Sequence, residues 1–164
     1  MDRVDVRDLL ERPGATREVH VAEPVMGLKT ELARVPATDP VDANLLLEHV
    51  VEGILVSGPL SGRMAFRCAR CLKDFSREFR VEVHELFVPG ATEEDDQYPV
   101  ADGAIDLEPM VRDAVLLSMP FSPLCRPECL GLCERCGGDR NLGECSCGPE
   151  VDPRWSVLDN LKFD

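Results

Sequence analysis

Residues 63–84 read Arg63-Met-Ala-Phe-Arg-Cys68-Ala-Arg-Cys71-Leu-Lys-Asp-Phe75-Ser-Arg-Glu-Phe79-Arg-Val-Glu-Val83-His84. Met64, Phe66 and Cys68 alternate with Arg63, Ala65 and Arg67, the period of two that marks a half-buried strand. Beyond Cys71 the alternation resumes. Phe75, Phe79, Val81 and Val83 fall on one face; Ser76, Glu78, Arg80, Glu82 and His84 fall on the other. The stretch predicts a hairpin with a Cys-x-x-Cys tip, inside an antiparallel meander with one dry face.

Upstream, Leu45–Glu52 and Ile54–Ser57 read as strands separated by a bulge or bend at Gly53, and Gly58-Pro59 reads as a turn. Arg17–Val21 and Leu28–Val35 read as strands around a Pro24–Gly27 turn, after a short helix over Val4–Leu10. Downstream, residues 91–100 form an acidic, solvated loop. Asp106 caps a helix over Leu107–Met119 with Leu107, Met110, Val111, Ala114 and Leu117 as its buried stripe. Asp152-Pro153 opens a last helix faced by Trp155, Leu158 and Leu161. The expected fold is α+β: an antiparallel, meander-rich sheet flanked by two or three short helices, with a cysteine-rich, zinc-binding C-terminal region. At 164 residues a single domain is expected, with a sheet-rich body over 15–90 and the helix and cysteine region over 105–164.

Six of the eight cysteines lie between Cys125 and Cys147, and the other two are Cys68 and Cys71. Such spacings let pairs of sulfurs converge on a tetrahedral ion, and Cys133-Glu-Arg-Cys136-Gly137 is the strongest piece. Disulfides would require export, and Met1-Asp-Arg-Val-Asp-Val-Arg-Asp has no apolar signal region. No run of about 18 apolar residues is present to span a membrane. A cytoplasmic protein is expected. Bacterial ferredoxin spacing is absent, and redox-active thiols remain an alternative to zinc.

The formal net charge is −13. Eight thiolates holding two Zn²⁺ would bring it to about −17, which opposes nonspecific nucleic-acid binding. The charge is uneven. Arg63, Arg67, Arg70, Lys73, Arg77 and Arg80 face only Asp74 and Glu78 over residues 63–80, whereas residues 82–113 hold ten acids against Arg112. The basic stretch is a candidate RNA or partner contact, and its plainer reading is a solvated face or a counter-charge to nearby thiolates. Aromatic interleaving is poor, because Phe66, Phe75 and Phe79 fall on the dry side. No phosphate-cradling glycine loop or nucleophile elbow is present, and His20, His49 and His84 are scattered. No small-molecule substrate is evident and no catalytic residue is assigned.

Four ordered motifs then resemble the YceD family: Cys68-x-Arg-Cys71-Leu72, Ile105-Asp106, Pro123-Leu-Cys…Cys-x-Gly-Leu-Cys-x-x-Cys-Gly, and Asp152-Pro-Arg-Trp. The resemblance runs from about residue 44 onward. It implies a non-enzymatic role in accumulation or processing of 23S ribosomal RNA, with large-subunit RNA, a ribosomal protein or an assembly intermediate as partner. Two Zn²⁺ sites are expected. Cys68, Cys71, Cys125 and Cys129 would clip the hairpin to the segment leaving the helix; some relatives lacking the later cysteines keep metal-capable residues near these four. Cys133, Cys136, Cys145 and Cys147 would form a local second site. One shared site with spare thiols is the alternative, because Cys145-x-Cys147 is tight for zinc. Two other functions stay open: redox regulation through the last four cysteines, and a zinc-bearing interaction module unrelated to RNA.

Overall fold

Fourteen consecutive residue pairs, from Ile54↔Phe87 to Arg67↔Asp74, join the two longest strands into the expected hairpin. The structure, a computed structural model, describes residues 3–92, 95, 97–143, 145–148 and 154. Its elements in chain order are β1 (Val4–Asp5), α1 (Arg7–Leu10), β2 (Thr16–Glu23), β3 (Ala33–Arg34), β4 (Val41–Val50), β5 (Gly53–Arg67), β6 (Asp74–Pro89), β7 (Tyr98–Ala101), β8 (Ala104–Ile105) and α2 (Leu107–Ser118). The strands form one sheet in the order β1-β8-β7-β6-β5-β4-β2, with β3 pairing β5 beside this path. All pairs are antiparallel except β6 with β7. The sheet curls until its two ends meet: Arg17 of β2 donates to the Asp5 carbonyl of β1 at 2.7 Å and pairs with Asp8. The architecture is α+β.

Alternation supplies the core. Val41, Ala43, Leu45 and Leu47 of β4 and Ile54, Val56, Leu60, Met64 and Phe66 of β5 are buried on the inner face, together with Val83 and Phe87 of β6. Leu107, Met110, Val111 and Val115 of α2 join the same cluster. Asp106 caps this helix as expected, its carboxylate accepting from the Glu108 N–H at 2.9 Å, a contact of about 1 kcal/mol. The expected stripe is off at one end. Leu117 is 87% exposed. At 100° per residue Val115 and Leu117 flank the stripe from opposite sides, and the core takes the Val115 side.

Other expectations need correction. Gly58-Pro59 does not turn the chain but lies inside β5, and Gly53 sits where the β4–β5 hairpin closes, opposite Val50. The Val4–Leu10 segment splits into β1 and a four-residue helix, because Val4 pairs with Ile105 while the Asp5 carboxylate accepts from the Arg7 N–H. Leu28–Val35 keeps only Ala33–Arg34 as strand, since Thr30 Oγ1 accepts from the Ala33 N–H and folds the segment on itself. The acidic loop ends early: Tyr98 begins β7 and stacks on Phe87 with ring centroids 5.2 Å apart. Glu93, Glu94 and Asp96 of that loop, and the helix expected from Trp155 to Leu161, lie outside the described residues.

Candidate metal centres

The hairpin tip closes through Cys68 N–H to Lys73 O at 2.9 Å and Leu72 N–H to Cys68 O at 3.0 Å. Leu72 takes a left-handed φ of 59°, which costs a side-chain-bearing residue roughly 1–2 kcal/mol. The chain leaving α2 is bent back by Pro120 and Pro123 and laid along this tip. Ala69 donates to Pro123 O at 2.8 Å, and Leu132 donates to Arg70 O at 3.1 Å. Cys68 Sγ then lies 3.8 Å from Cys129 Sγ, and Cys71 Sγ lies 3.7 Å from Cys125 Sγ. All four sulfurs fall within 4.8 Å of one another. Sulfurs about 2.3 Å from a tetrahedral zinc would stand roughly 3.8 Å apart, so the donor set fits the ion. Disulfide sulfurs would stand about 2.05 Å apart, and all eight cysteines are free.

Cys68 and Cys129 are fully buried here and Cys71 nearly so. Burial opposes the Cys68 thiolate, but backbone N–H groups of Cys71, Cys125 and Arg70 overcome it and bring the thiol down to about 6. Burial pushes Cys125 up to about 12, helped by hydrogen bonding with Cys71, Cys129 and Cys68. Four thiolates crowded this closely repel one another, and a divalent cation among them removes that penalty.

The second cluster is built locally. Cys133 N–H donates to Gly138 O and Gly137 N–H to Cys133 O, both at 2.8 Å, and Gly137 supplies the left-handed φ of 69° that this turn needs. The sulfurs of Cys133, Cys136, Cys145 and Cys147 lie within 4.8 Å of one another. Backbone N–H groups of Cys136 and Arg135 hold Cys133 down to about 6, while the Cys136 thiol, burial and Cys133 push Cys147 up to about 12. This cluster is open. Cys136 is exposed and its three companions are half-buried.

The six basic residues of the hairpin separate into two groups. Arg70, Lys73 and Arg77 hold the cysteine arm: Arg70 donates to Cys129 O at 2.9 Å and Lys73 pairs with Asp139 at 2.6 Å. Arg77 donates to Leu124 O and Cys125 O while lying over the Phe75 ring. It shares the parity of Phe75 and Phe79, so it sits on the core side of β6. Arg63, Arg67 and Arg80 occupy the wet face, where Arg67 pairs with Asp74, Arg80 pairs with Glu82, and Arg63 stands opposite Glu78.

Sequence reading missed Lys29 and Arg34. Arg34 lies opposite Ala65, between Arg63 and Arg67 along β5, and Lys29 bridges to Arg34. Lys29, Arg34, Phe66 and Arg67 line a cleft of about 230 Å³. Asp139 and Asn141 were missed too, although Asp-x-Asn marks an Asx turn: Asp139 Oδ1 accepts from the Asn141 N–H at 2.9 Å. No described helix is long and apolar enough to cross a membrane.

Comparison with known proteins bears on the same region. A Mycobacterium tuberculosis protein is 40% identical over 164 residues, covering 94% of this chain and 78% of its own. Bacillus subtilis YlbN is 34% identical over 107 residues, 62% of each chain. The maize large ribosomal RNA subunit accumulation protein YCED homolog 1, chloroplastic, is 38% identical over 53 residues, 32% of this chain and 18% of its own. No solved structure matches the chain. The model of the family described as large ribosomal RNA subunit accumulation protein YceD matches residues 56–162, a stretch that takes in nearly all of the hairpin, α2 and both cysteine clusters, and the chain belongs to the YceD family.

Proposed function

We propose that the protein is a non-enzymatic, zinc-loaded factor that supports accumulation or processing of 23S ribosomal RNA during large-subunit assembly in the cytoplasm. The family match carries this reading, because it covers both clusters and the hairpin tip that carries Cys68 and Cys71. The maize relative's name ties a member of the family to large-subunit RNA. Zn²⁺ suits four closely spaced thiolates, with Cys68, Cys71, Cys125 and Cys129 holding one ion and Cys133, Cys136, Cys145 and Cys147 another. Four protein ligands leave no open position for water or substrate, which supports a structural role for the metal.

Direct contact with RNA would fall on the wet face of the hairpin. There Lys29, Arg34 and Arg63 have no ion-pair partner among the described residues, and Arg67 lies beside them. A basic ribosomal protein on the acidic 82–113 stretch is the other route. A strain lacking the gene should show a lowered 23S to 16S ratio by quantitative RNA electrophoresis. An unchanged ratio overturns the assignment.

The exposure of the second cluster favours one further reading, redox regulation. Hydrogen peroxide would take two electrons from two of its thiolates, joining the sulfurs as a disulfide, forming two hydroxide ions and releasing the metal. Stoichiometric peroxide should then release one zinc equivalent, with the buried cluster keeping its own. Release of both at equal rates, or of neither, counts against it.

A further inference from the structure

Asp139 and Asn141 belong to neither set of four cysteines, yet they join the two. Both lie between Cys136 and Cys145, on the loop that the second cluster closes. Asn141 Nδ2 lies 3.6 Å from Cys129 Sγ of the first cluster and 2.6 Å from Asp139 Oδ1. Asn141 Oδ1 accepts from Arg126 Nη2 at 2.8 Å and from the Leu130 N–H at 2.9 Å, fixing the turn on either side of Cys129. Asp139 Oδ2 takes Lys73 Nζ, two residues beyond Cys71. A backbone bridge of Leu132 with Asp139, and Arg140 N–H to Gly131 O at 3.0 Å, lay the loop against the arm.

We infer that the two centres are coupled: metal at the second raises the metal affinity of the first, and Asn141 is the positioning residue that transmits the effect. Cys129 is fully buried, so water does not reach its sulfur, and the Asn141 amide is the side-chain N–H within reach of it. An N–H aimed at a ligating sulfur both orients it and stabilises its anionic form, and loss of such a partner typically lowers metal affinity 10–100-fold. Asn141 sits on the loop that the second cluster closes, and its contacts to Arg126 and Leu130 are made from that loop. Metal on Cys133, Cys136, Cys145 and Cys147 ties the loop at both ends, whereas in its absence docking Asn141 must overcome the entropy of an open segment. Linkage makes the effect reciprocal, so metal at the first centre strengthens the second by the same factor.

The inference rests on metal loading of both centres, and one set of titrations reports loading and coupling separately. Zn²⁺ is titrated into the reduced full-length protein against a chromophoric chelator, in wild type, in Asn141→Ala, in the Cys145→Ser/Cys147→Ser pair, and in the triple variant. Wild type should take two equivalents. Asn141→Ala should lower the affinity of the buried centre roughly tenfold or more. Disabling the second centre should lower it by about fivefold or more, although neither serine replaces a ligand of the first. The triple variant should show little further loss, because both changes remove one linkage. Cobalt substitution adds a spectroscopic readout, in which Asn141→Ala shifts the sulfur-to-metal charge-transfer band of the first centre. Amide protection of β4 to β6 distinguishes a folded variant from an unfolded one. A single equivalent in wild type overturns the inference at loading. Two equivalents with unchanged first-centre affinity in the serine pair, or fully additive losses in the triple variant, overturn the coupling alone.

Discussion

Cys71→Ser should release the cysteine arm from the hairpin tip and speed hydrogen exchange at Ala69 and Leu132 by about a hundredfold or more. Both amides bond across the contact between tip and arm. Without metal that contact rests on a few hydrogen bonds, each contributing about 0.5–1.5 kcal/mol, and on a Lys73–Asp139 pair whose lysine is more than half exposed. A structural zinc supplies about 10–16 kcal/mol in small peptides. With zinc bound as proposed, the ion would dominate. Removing one of four thiolates takes away several kcal/mol, and each 1.4 kcal/mol is about a factor of ten in an exchange equilibrium. Cys71 is 54 residues from Cys125, so a loosened site also leaves a long loop to be closed by weak contacts. Amides in the middle of β4, β5 and β6 should keep their protection, since their pairing does not pass through the cluster. Arg77→Ala gives the comparison: it loses two carbonyl contacts and a ring contact, and should speed arm exchange by only about tenfold. Unchanged exchange at Ala69 and Leu132 in Cys71→Ser would mean that the arm docks without metal.

The hairpin and the cysteine pairs were legible because their signals are local, whereas the joining of Cys68 and Cys71 to Cys125 and Cys129 is a contact between distant segments. Phe75, Phe79, Val81 and Val83 alternate with charged residues, and the Cys-x-x-Cys pairs are set by chain spacing. The core-side position of Arg77 was legible too, since it shares the odd parity of Phe75 and Phe79, but charge alone grouped it with Arg63 and Arg67. Other features depend on distant partners. Tyr98–Val100 reads as the end of an acidic loop until the edge of β6 offers it a parallel partner and Phe87 offers its ring. Arg34 becomes part of the basic face only because β3 lies beside Ala65. Asn141 reads as an ordinary turn residue, and its place beside Cys129 depends on the fold of the loop between two clusters.

Gly58 is the position where local chemistry misleads most, and Gly58→Ala should cost about 3–5 kcal/mol of folding stability. Glycine followed by proline reads as a turn, yet here β5 is flanked by β4 and β6, and pairing on both sides holds it extended. The ladder to β4 runs from Asp42↔Ser61 and Ala43↔Leu60 to Leu46↔Ser57 in one register, with no pair formed at Gly58 and Pro59. Proline has no N–H to give to that ladder, and glycine lets the strand bend through the gap at a φ of 142°. A Cβ at Gly58 would stand 2.2 Å from the Asn44 carbonyl oxygen and 3.2 Å from Leu45 Cα. Both neighbours are backbone, so no side-chain rotation relieves the clash. Either β4 shifts and carries Leu45 and Leu47 out of their places in the core, or β5 changes φ and loses register with β6. Gly14→Ala isolates the conformational part of the effect. Gly14 has a φ of 76°, but a Cβ there meets nothing within 4 Å, so its cost should stay near 1 kcal/mol. In denaturant unfolding of the metal-loaded protein, Gly58→Ala should move the midpoint far more than Gly14→Ala, with the slope unchanged in both. Equal midpoints would show that β4 yields to the added methyl, and that the close packing of the two strands at Asn44 is not what holds this sheet in register.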